Sequence, residues 1–444
     1  MRIGPLSPYT VEAEVESLRR REEPGAEPVT AVVRDLIDSV RAQGDEAVLE
    51  ATRRLDWPGA ERGLLRVSEA EIEDAFHSLD DETIGALEAA RSNLTWFHER
   101  EMRRSWEDRA PHGQLLGIRF LPVARAGLYV PGGLAAYPSS VIMNAVPARV
   151  AGVKHIFVCT PPDQDGRVNA SILAAAHLME IEEVYRVGGA QAIAAMAFGT
   201  ETIPRADVIS GPGNAYVNEA KRQVYGAVGI DGLAGPSEVL ILADESARAD
   251  WVAVDLLAQV EHGSGAVAVL LASTEELCRR VEAEVERLIA QSGDQEEATA
   301  AWGLDEAVAG RLEGRPIAAY YPAAGEGFTA VALALADAFA PEHLELHLAD
   351  PRGLLDDVTA AGAVFIGEET PTAIGDYLAG TNHVLPTGGA ARFSSPLSVD
   401  TFLRKSWTCE MTPEAAAALN GPAALLADRE GFTYHARSLR LRRS

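Results

Sequence analysis

The sequence predicts an α/β protein with two units built on parallel sheets, preceded by a helical arm and followed by a small tail. Three observations predict it. Between about residues 115 and 370, short β-branched runs alternate with alanine-rich ones. Before about residue 105, apolar residues recur at three- and four-residue spacing amid dense charge. Beyond about residue 380 the chain is turn-rich, then ends in a helical stretch and the basic "HARSLRLRRS".

The arm comprises "VEAEVESLRRREE", "AVVRDLIDSVRAQGDEAVLEATRRL" and "SEAEIEDAFHSLDDETIGALEAARSNLTWFHERE". Their period is that of amphipathic helices. Ser68 and Glu71 form a capping-box pattern that starts one of them. So polar an arm must pack on something else. In the middle region, "HIFVCT", "EVYRV", "ADVIS", "SEVLILAD" and "AVAVLLAST" read as strands. Between them, "ASILAAAHLM", "AQAIAAMAFG", "AYVNEAKRQVYG" and "WVAVDLLAQVEH" read as helices. Strand–helix alternation is the signature of parallel sheets covered on both faces, and its length here calls for two units. The apolar run "VALALADAF" then stops at Pro341, and "APEHLELHLAD" places Glu342, His343, Glu345 and His347 within six positions. A polar helix end facing water explains those letters as well as a site does. No repeat and no low-complexity linker interrupts the chain.

Composition narrows the function classes. At 444 residues there is room for two or three domains. A net charge of −27 argues against a nucleic-acid partner. Lys154, Lys221 and Lys405 are the only lysines, a bias that suits a salt-adapted surface and equally a GC-rich genome. Cys159, Cys278 and Cys409 are far apart, so neither a disulfide framework nor a thiolate zinc knuckle is expected. No window approaches the ~18 uninterrupted apolar residues of a membrane span, and the first residues have no apolar core fit for export. A cytoplasmic protein without a membrane partner is expected.

Four glycine turns stand between strand-like and helix-like runs: "YVPGG" from Tyr129, "VGGAQA" from Val187, "GPGNAY" from Gly211 and "AGPSE" from Ala234. No GxGxxG fingerprint is present. Backbone amides at helix starts can hold phosphate, and four such turns in one α/β region point to a nucleotide cleft. In "DLLAQVEHG", Gln259 and His262 lie three apart and share a helix face, which suits two ligands of one metal. Glu261 points elsewhere, although a carboxylate is the better zinc ligand by residue type alone. "GDYLAGTNHVLPTGG" adds Asp376, Asn382 and His383, and "EGFTYHARS" adds Glu430 and His435. Nothing internal to the letters says that these pieces converge.

From about residue 30 to the end, the chain resembles the histidinol dehydrogenase family. The resemblance is carried in order by "GLYVPGG", "YPSSVIMNAVPARVAGV", "VYRVGGAQAIAAMAFGTE", "GPGNAYVNEAKRQVYG", "GIDGLAGPSEVL", "DLLAQVEHG", "APEHLEL", "GTNHVLPTGGAARFSSPLSVDTF" and "EGFTYHARS". It implies two Rossmann-like parallel-sheet domains, with a C-terminal tail domain exchanged in a homodimer. The expected division is a helical arm over 1–105, a first unit of 106–128 plus 232–378, a second, nucleotide-side unit over 129–231, and the tail over 379–444. It also implies one zinc per subunit held by Gln259, His262, Asp376 and His435. Substrate contacts would be Ser237, Gln259, His262, His343, Asp376, Glu430 and His435, and NAD contacts Tyr129, Gln191 and Asn214.

The implied reaction takes L-histidinol to L-histidine through a bound aldehyde with two NAD, the last step of histidine biosynthesis. Glu342 would activate water and His343 shuttle protons, a task for which imidazole is suited near neutral pH. Zinc would act as a template for the substrate's nitrogens. Two other readings remain: a zinc-dependent NAD dehydrogenase of another polar alcohol, such as a dihydroxypropane sulfonate, and a non-catalytic metal- or nucleotide-binding protein. Glu430 beside His435 suits a cationic substrate and opposes the sulfonate. Glu345 and His347 are expected on the following strand as surface or supporting groups, Glu261 in water, and His77, His98, His112, His155 and His177 in structural roles.

Overall fold

The computed structural model describes residues 1–19, 26–132, 136–262, 265–292 and 317–442. Gly133 of the first glycine turn and Gly263 after His262 fall outside that set. Fourteen strands are described: β1 (Arg2–Leu6), β2 (Trp106–Arg109), β3 (Leu115–Pro122), β4 (Arg125–Tyr129), β5 (His155–Thr160), β6 (Val184–Arg186), β7 (Val208–Ser210), β8 (Gly229–Ile230), β9 (Glu238–Ala243), β10 (Val267–Ala272), β11 (Ile317–Pro322), β12 (His343–His347), β13 (Ala363–Ile366) and β14 (Leu403–Glu410).

They form two all-parallel sheets and one small antiparallel sheet. The five-stranded sheet runs β6-β5-β4-β7-β8, the order 3-2-1-4-5 of a doubly wound unit. The six-stranded sheet runs β1-β11-β10-β9-β12-β13, the same order with β1 added at one edge. The pleat sorts each sheet's side chains into two cores. Ala126, Leu128, Ile156 and Val158 face the helices Pro138–Ala151 and Ala170–Leu178. Tyr129, Phe157 and Cys159 face Gly189–Phe198 and Ala215–Val224. In the larger sheet, Leu240, Leu242, Leu344 and Leu346 meet Phe328–Phe339. Val239, Ile241, Leu270 and Ala319 meet Ala249–Glu261 and Glu275–Ser292. Strands buried on both faces read as unbroken apolar runs, as "VLIL" and "VAVLL" do.

Only residues 231–237 join β8 to β9. Seven residues reach at most ~25 Å, so the carboxyl edge of one sheet lies near the amino edge of the other. That short link determines where the site sits.

Three expectations are corrected. The arm is not wholly helical, since Arg2–Leu6 pairs with β11 and Val11–Arg19 packs on Phe328–Phe339. Its later helices, from Ala26–Gln43 to Asp81–His98, pack on the helices of the five-stranded unit. The Ser68–Glu71 capping box is formed, Ser68 accepting from the Glu71 amide at 3.3 Å and Glu71 from the Ser68 amide at 3.2 Å. Residues 106–128 do not enter the first unit. β2 and β3 pair antiparallel with β14, while β4 is the central strand of the five-stranded sheet. The tail is not separate from its start, because Leu397, Val399 and Phe402 fill the core under Pro138–Ala151. Beyond β14, the helices Pro413–Arg429 and Thr433–Leu441 pack chiefly on each other. Among the described residues no helix is long and apolar enough to cross a membrane.

Candidate active site

The helix Phe328–Phe339 ends on Ala340, which adopts a left-handed φ of 41°. Pro341 cannot extend a helix, so the chain turns directly into β12. Glu342 therefore precedes the strand and His343 begins it, both buried. Parallel pairing sets His343 opposite Val239, beside the start of β9. Its Nδ1 lies 3.0 Å from the Glu238 carbonyl oxygen. A carbonyl only accepts, so Nδ1 carries the hydrogen and Nε2 keeps the basic lone pair. Glu342 Oε2 accepts from the Ser237 hydroxyl at 2.7 Å and the Glu238 amide at 2.9 Å. It also stands 3.5 Å from His343 Nδ1. Ser237, expected as a substrate contact, here orients the acid.

The helix Ala249–Glu261 carries Gln259, which is 3% exposed with neither amide atom hydrogen-bonded among the described residues. A buried polar atom without a partner costs ~1–3 kcal/mol, which a ligand would offset. His262 is the C-cap of this helix and is exposed. The short helix Thr372–Tyr377, bearing Asp376, packs on it. His383 lies between these pieces. Its Nδ1 donates to the Asp376 carbonyl at 3.2 Å. Burial pushes its pKa down, Asp376 opposes that shift, and His343 and His262 add to it. The chain thus gathers His262, Asp376 and His343 around His383, with Gln259 one helical turn before His262.

Glu430 and His435 are not brought there. Glu430 caps Pro413–Arg429, His435 lies on Thr433–Leu441, and both are exposed. The His435 ring meets Phe432 at 5.1 Å, and no hydrogen bond or ion pair among the described residues links either side chain to the other candidates. Around them Leu425, Leu426, Tyr434 and Leu441 expose apolar surface.

At the carboxyl edge of the five-stranded sheet lies a cavity of about 690 Å³ lined by all three expected nucleotide contacts, Tyr129, Gln191 and Asn214. The helices that follow β4 and β7 pack on opposite faces of the sheet, and such a switch point is where open α/β sheets bind ligands. The Tyr129 hydroxyl accepts from the Gly189 amide at 3.0 Å, and burial pushes its pKa up to about 12. Gln191 donates to Asp56 at 3.0 Å, while its Oε1 has no hydrogen-bond partner among the described residues. Asn214 caps Ala215–Val224 through the Tyr216 and Val217 amides. Burial raises the pKa of Asp56 against the bonds from Gly188 and Gln191. Sequence reasoning missed Asp56, because "RLDWPG" carries no signal beyond an ordinary turn.

Glu345 and His347 sit on β12, as expected, and of the two expected roles their full burial fits supporting groups rather than surface ones. Their side chains and Asp255 offer ligand atoms within 4.8 Å of one another. His98 is structural, its ring held between Glu101 at 2.8 Å and Asn382 at 3.3 Å. Cys159 and Cys278 are buried, whereas Cys409 is exposed.

Several known proteins resemble this chain in sequence and in overall structure. Histidinol dehydrogenase from Synechococcus sp. is 48% identical over 415 residues, covering 93% of this chain and 92% of that protein. The enzyme of the same name from Prochlorococcus marinus is 47% identical, with 93% and 89% coverage. The crystal structure of histidinol dehydrogenase from Elizabethkingia anophelis superposes with a TM-score of 0.88 at 33% identity, covering 100% of this chain and 98% of that one. The family described as histidinol dehydrogenase matches residues 19–443, so the chain belongs to the histidinol dehydrogenase family.

Proposed function

We propose that the protein is a cytoplasmic homodimer that oxidises L-histidinol to L-histidine through a bound aldehyde, using two NAD, as the last step of histidine biosynthesis. The observation that carries this reading is the pair at the head of β12. His343 has its Nδ1 committed to a carbonyl, and Glu342 is held by two donors, while the buried Gln259 amide on the neighbouring helix has no hydrogen-bond partner among the described residues.

His343 Nε2 takes the hydroxyl proton as the first hydride leaves. Glu342 then takes a proton from the water that adds to the aldehyde, with Ser237 and the Glu238 amide keeping its carboxylate aimed. Tyr129, Gln191 and Asn214 would hold NAD, which would supply the hydride acceptor. Gln259, His262 and Asp376, with His435 from the partner subunit, would hold zinc, whose template and Lewis-acid chemistry gathers the substrate's nitrogens. The exposed apolar face around His435 supports a tail that docks on a second subunit. Glu430 on that tail supports a cationic substrate over a sulfonate.

The test is purified full-length protein with zinc and NAD, offered L-histidinol or a dihydroxypropane sulfonate and followed by NADH absorbance. Two NADH per histidinol is the expected result. Turnover of the sulfonate alone would favour the sister activity, and silence on both would favour a binding protein.

A further inference from the structure

Behind the His343–Glu342 pair lies a second buried polar group that the proposed chemistry does not use. Glu345 and His347 follow His343 at two-residue spacing, so all three side chains point to the same face of β12. That face is covered by Ala249–Glu261, on which Asp255 stands one turn before Gln259. His347 Nε2 lies 3.2 Å from Glu345 Oε2 and 3.8 Å from Asp255 Oδ2. The other Glu345 oxygen accepts twice from Thr372, from its amide at 2.7 Å and its hydroxyl at 2.6 Å. Thr372 is the first residue of the helix that carries Asp376, and the capping position, Pro371, makes no side-chain cap of its own. Glu345 therefore supplies from a neighbouring strand the acceptor that a serine or aspartate cap would supply locally.

We propose that Glu345, together with His347 and Asp255, is a positioning centre that holds the Gln259 and Asp376 helices in register with His343. Three elements bearing candidate functional groups meet at this one cluster and nowhere else among the hydrogen bonds and ion pairs described. Burying the Glu345 carboxylate, with the partly buried Asp255 beside it, costs several kcal/mol, and leucine or valine would fill the space without that penalty. The cost is offset only if the polar contacts set a geometry that apolar packing does not. Groups that orient metal ligands characteristically change metal affinity when removed, by 10–100-fold.

The inference rests on Gln259, His262 and Asp376 being metal ligands, and the experiment separates the two. Zinc affinity of the full-length protein is measured by competition with a chromogenic chelator, alongside kcat, KM and thermal melting. Glu345→Ala should weaken zinc binding about 10–100-fold and lower kcat, with KM for NAD unchanged. Thr372→Val, which removes one of the two bonds on a less buried residue, should move in the same direction by less. Glu345→Gln, whose amide oxygen can still accept from Thr372, should restore affinity. Full zinc affinity in Glu345→Ala or Thr372→Val, with loss in His262→Ala, would overturn the positioning role and leave the metal site standing. Zinc retained by His262→Ala and Asp376→Ala but lost from Asp255→Ala would place the ion in the cluster itself, overturning both readings.

Discussion

His343 is committed by one hydrogen bond: Nδ1 to the Glu238 carbonyl leaves Nε2 as the basic nitrogen of the neutral ring. An asparagine cannot take up a proton, so His343→Asn should cut kcat by about 10²–10⁴-fold while zinc stays bound, read by NADH release and metal analysis. Glu342→Gln keeps an acceptor for Ser237 and loses the base. Oxidation of supplied histidinaldehyde should then slow more than oxidation of histidinol, and equal slowing would count against water activation. Asp255 has its own signature. Burial, then the Glu345 charge, raises its pKa to about 7, with His347 pulling the other way. Between about pH 4 and 7 the folded protein keeps a proton that the unfolded chain has released, so this group's contribution to stability falls as pH rises through that window. Asp255→Asn should remove that slope, raising Tm relative to wild type by more at pH 8 than at pH 5. The polarity of Glu345 and His347 was legible in "HLELH", whereas their burial was not, because a polar residue on a strand is normally exposed. Only the helices packed over β12 reveal it.

Elements whose signal is local were read closely from the letters. "HIFVCT" is β5 from end to end, and Ser68 with Glu71 does start a helix. β1 escaped notice because "RIGPL" holds a glycine and a proline and becomes a strand only by pairing with β11. The same limit hid the pairing of β14 with β3, whose partners lie nearly 300 residues apart. Turns between elements carry specific demands. Gly211, at φ 122°, places its Cα so that a Cβ would run into the Tyr129 carbonyl. It also donates its amide to Asp231, which pairs with buried Lys221. Gly211→Ala should cost about 1–3 kcal/mol of local strain and raise KM for NAD, with KM for histidinol little changed, as steady-state kinetics would show. At the other end, removing residues 428–444 should abolish turnover and leave the far-ultraviolet circular dichroism close to wild type, since those helices contribute little to either sheet's core.

For the molecule as a whole, the α/β class, the grouping of three of the glycine turns around one cavity and the acid–histidine turn could be read in advance, because each follows from short-range pattern. The convergence of Gln259, Asp376 and His383 could not, since it depends on how two helices cross the larger sheet. A charge of −27 spread over one chain repels itself. Raising salt from about 0.05 to 0.5 M shortens the Debye length below ~5 Å, so Tm should rise over that range, as differential scanning calorimetry would show. The two sheets also present their candidate groups differently: the smaller one at its carboxyl edge, the larger at its amino edge. The far rim of the six-stranded sheet carries none of the candidate groups among the described residues. The turn at Ala323–Gly327, where nothing lies near Gly325, is on that rim. Foreign sequence, such as an epitope or a fluorescent reporter, could be spliced in there and leave histidinol turnover intact.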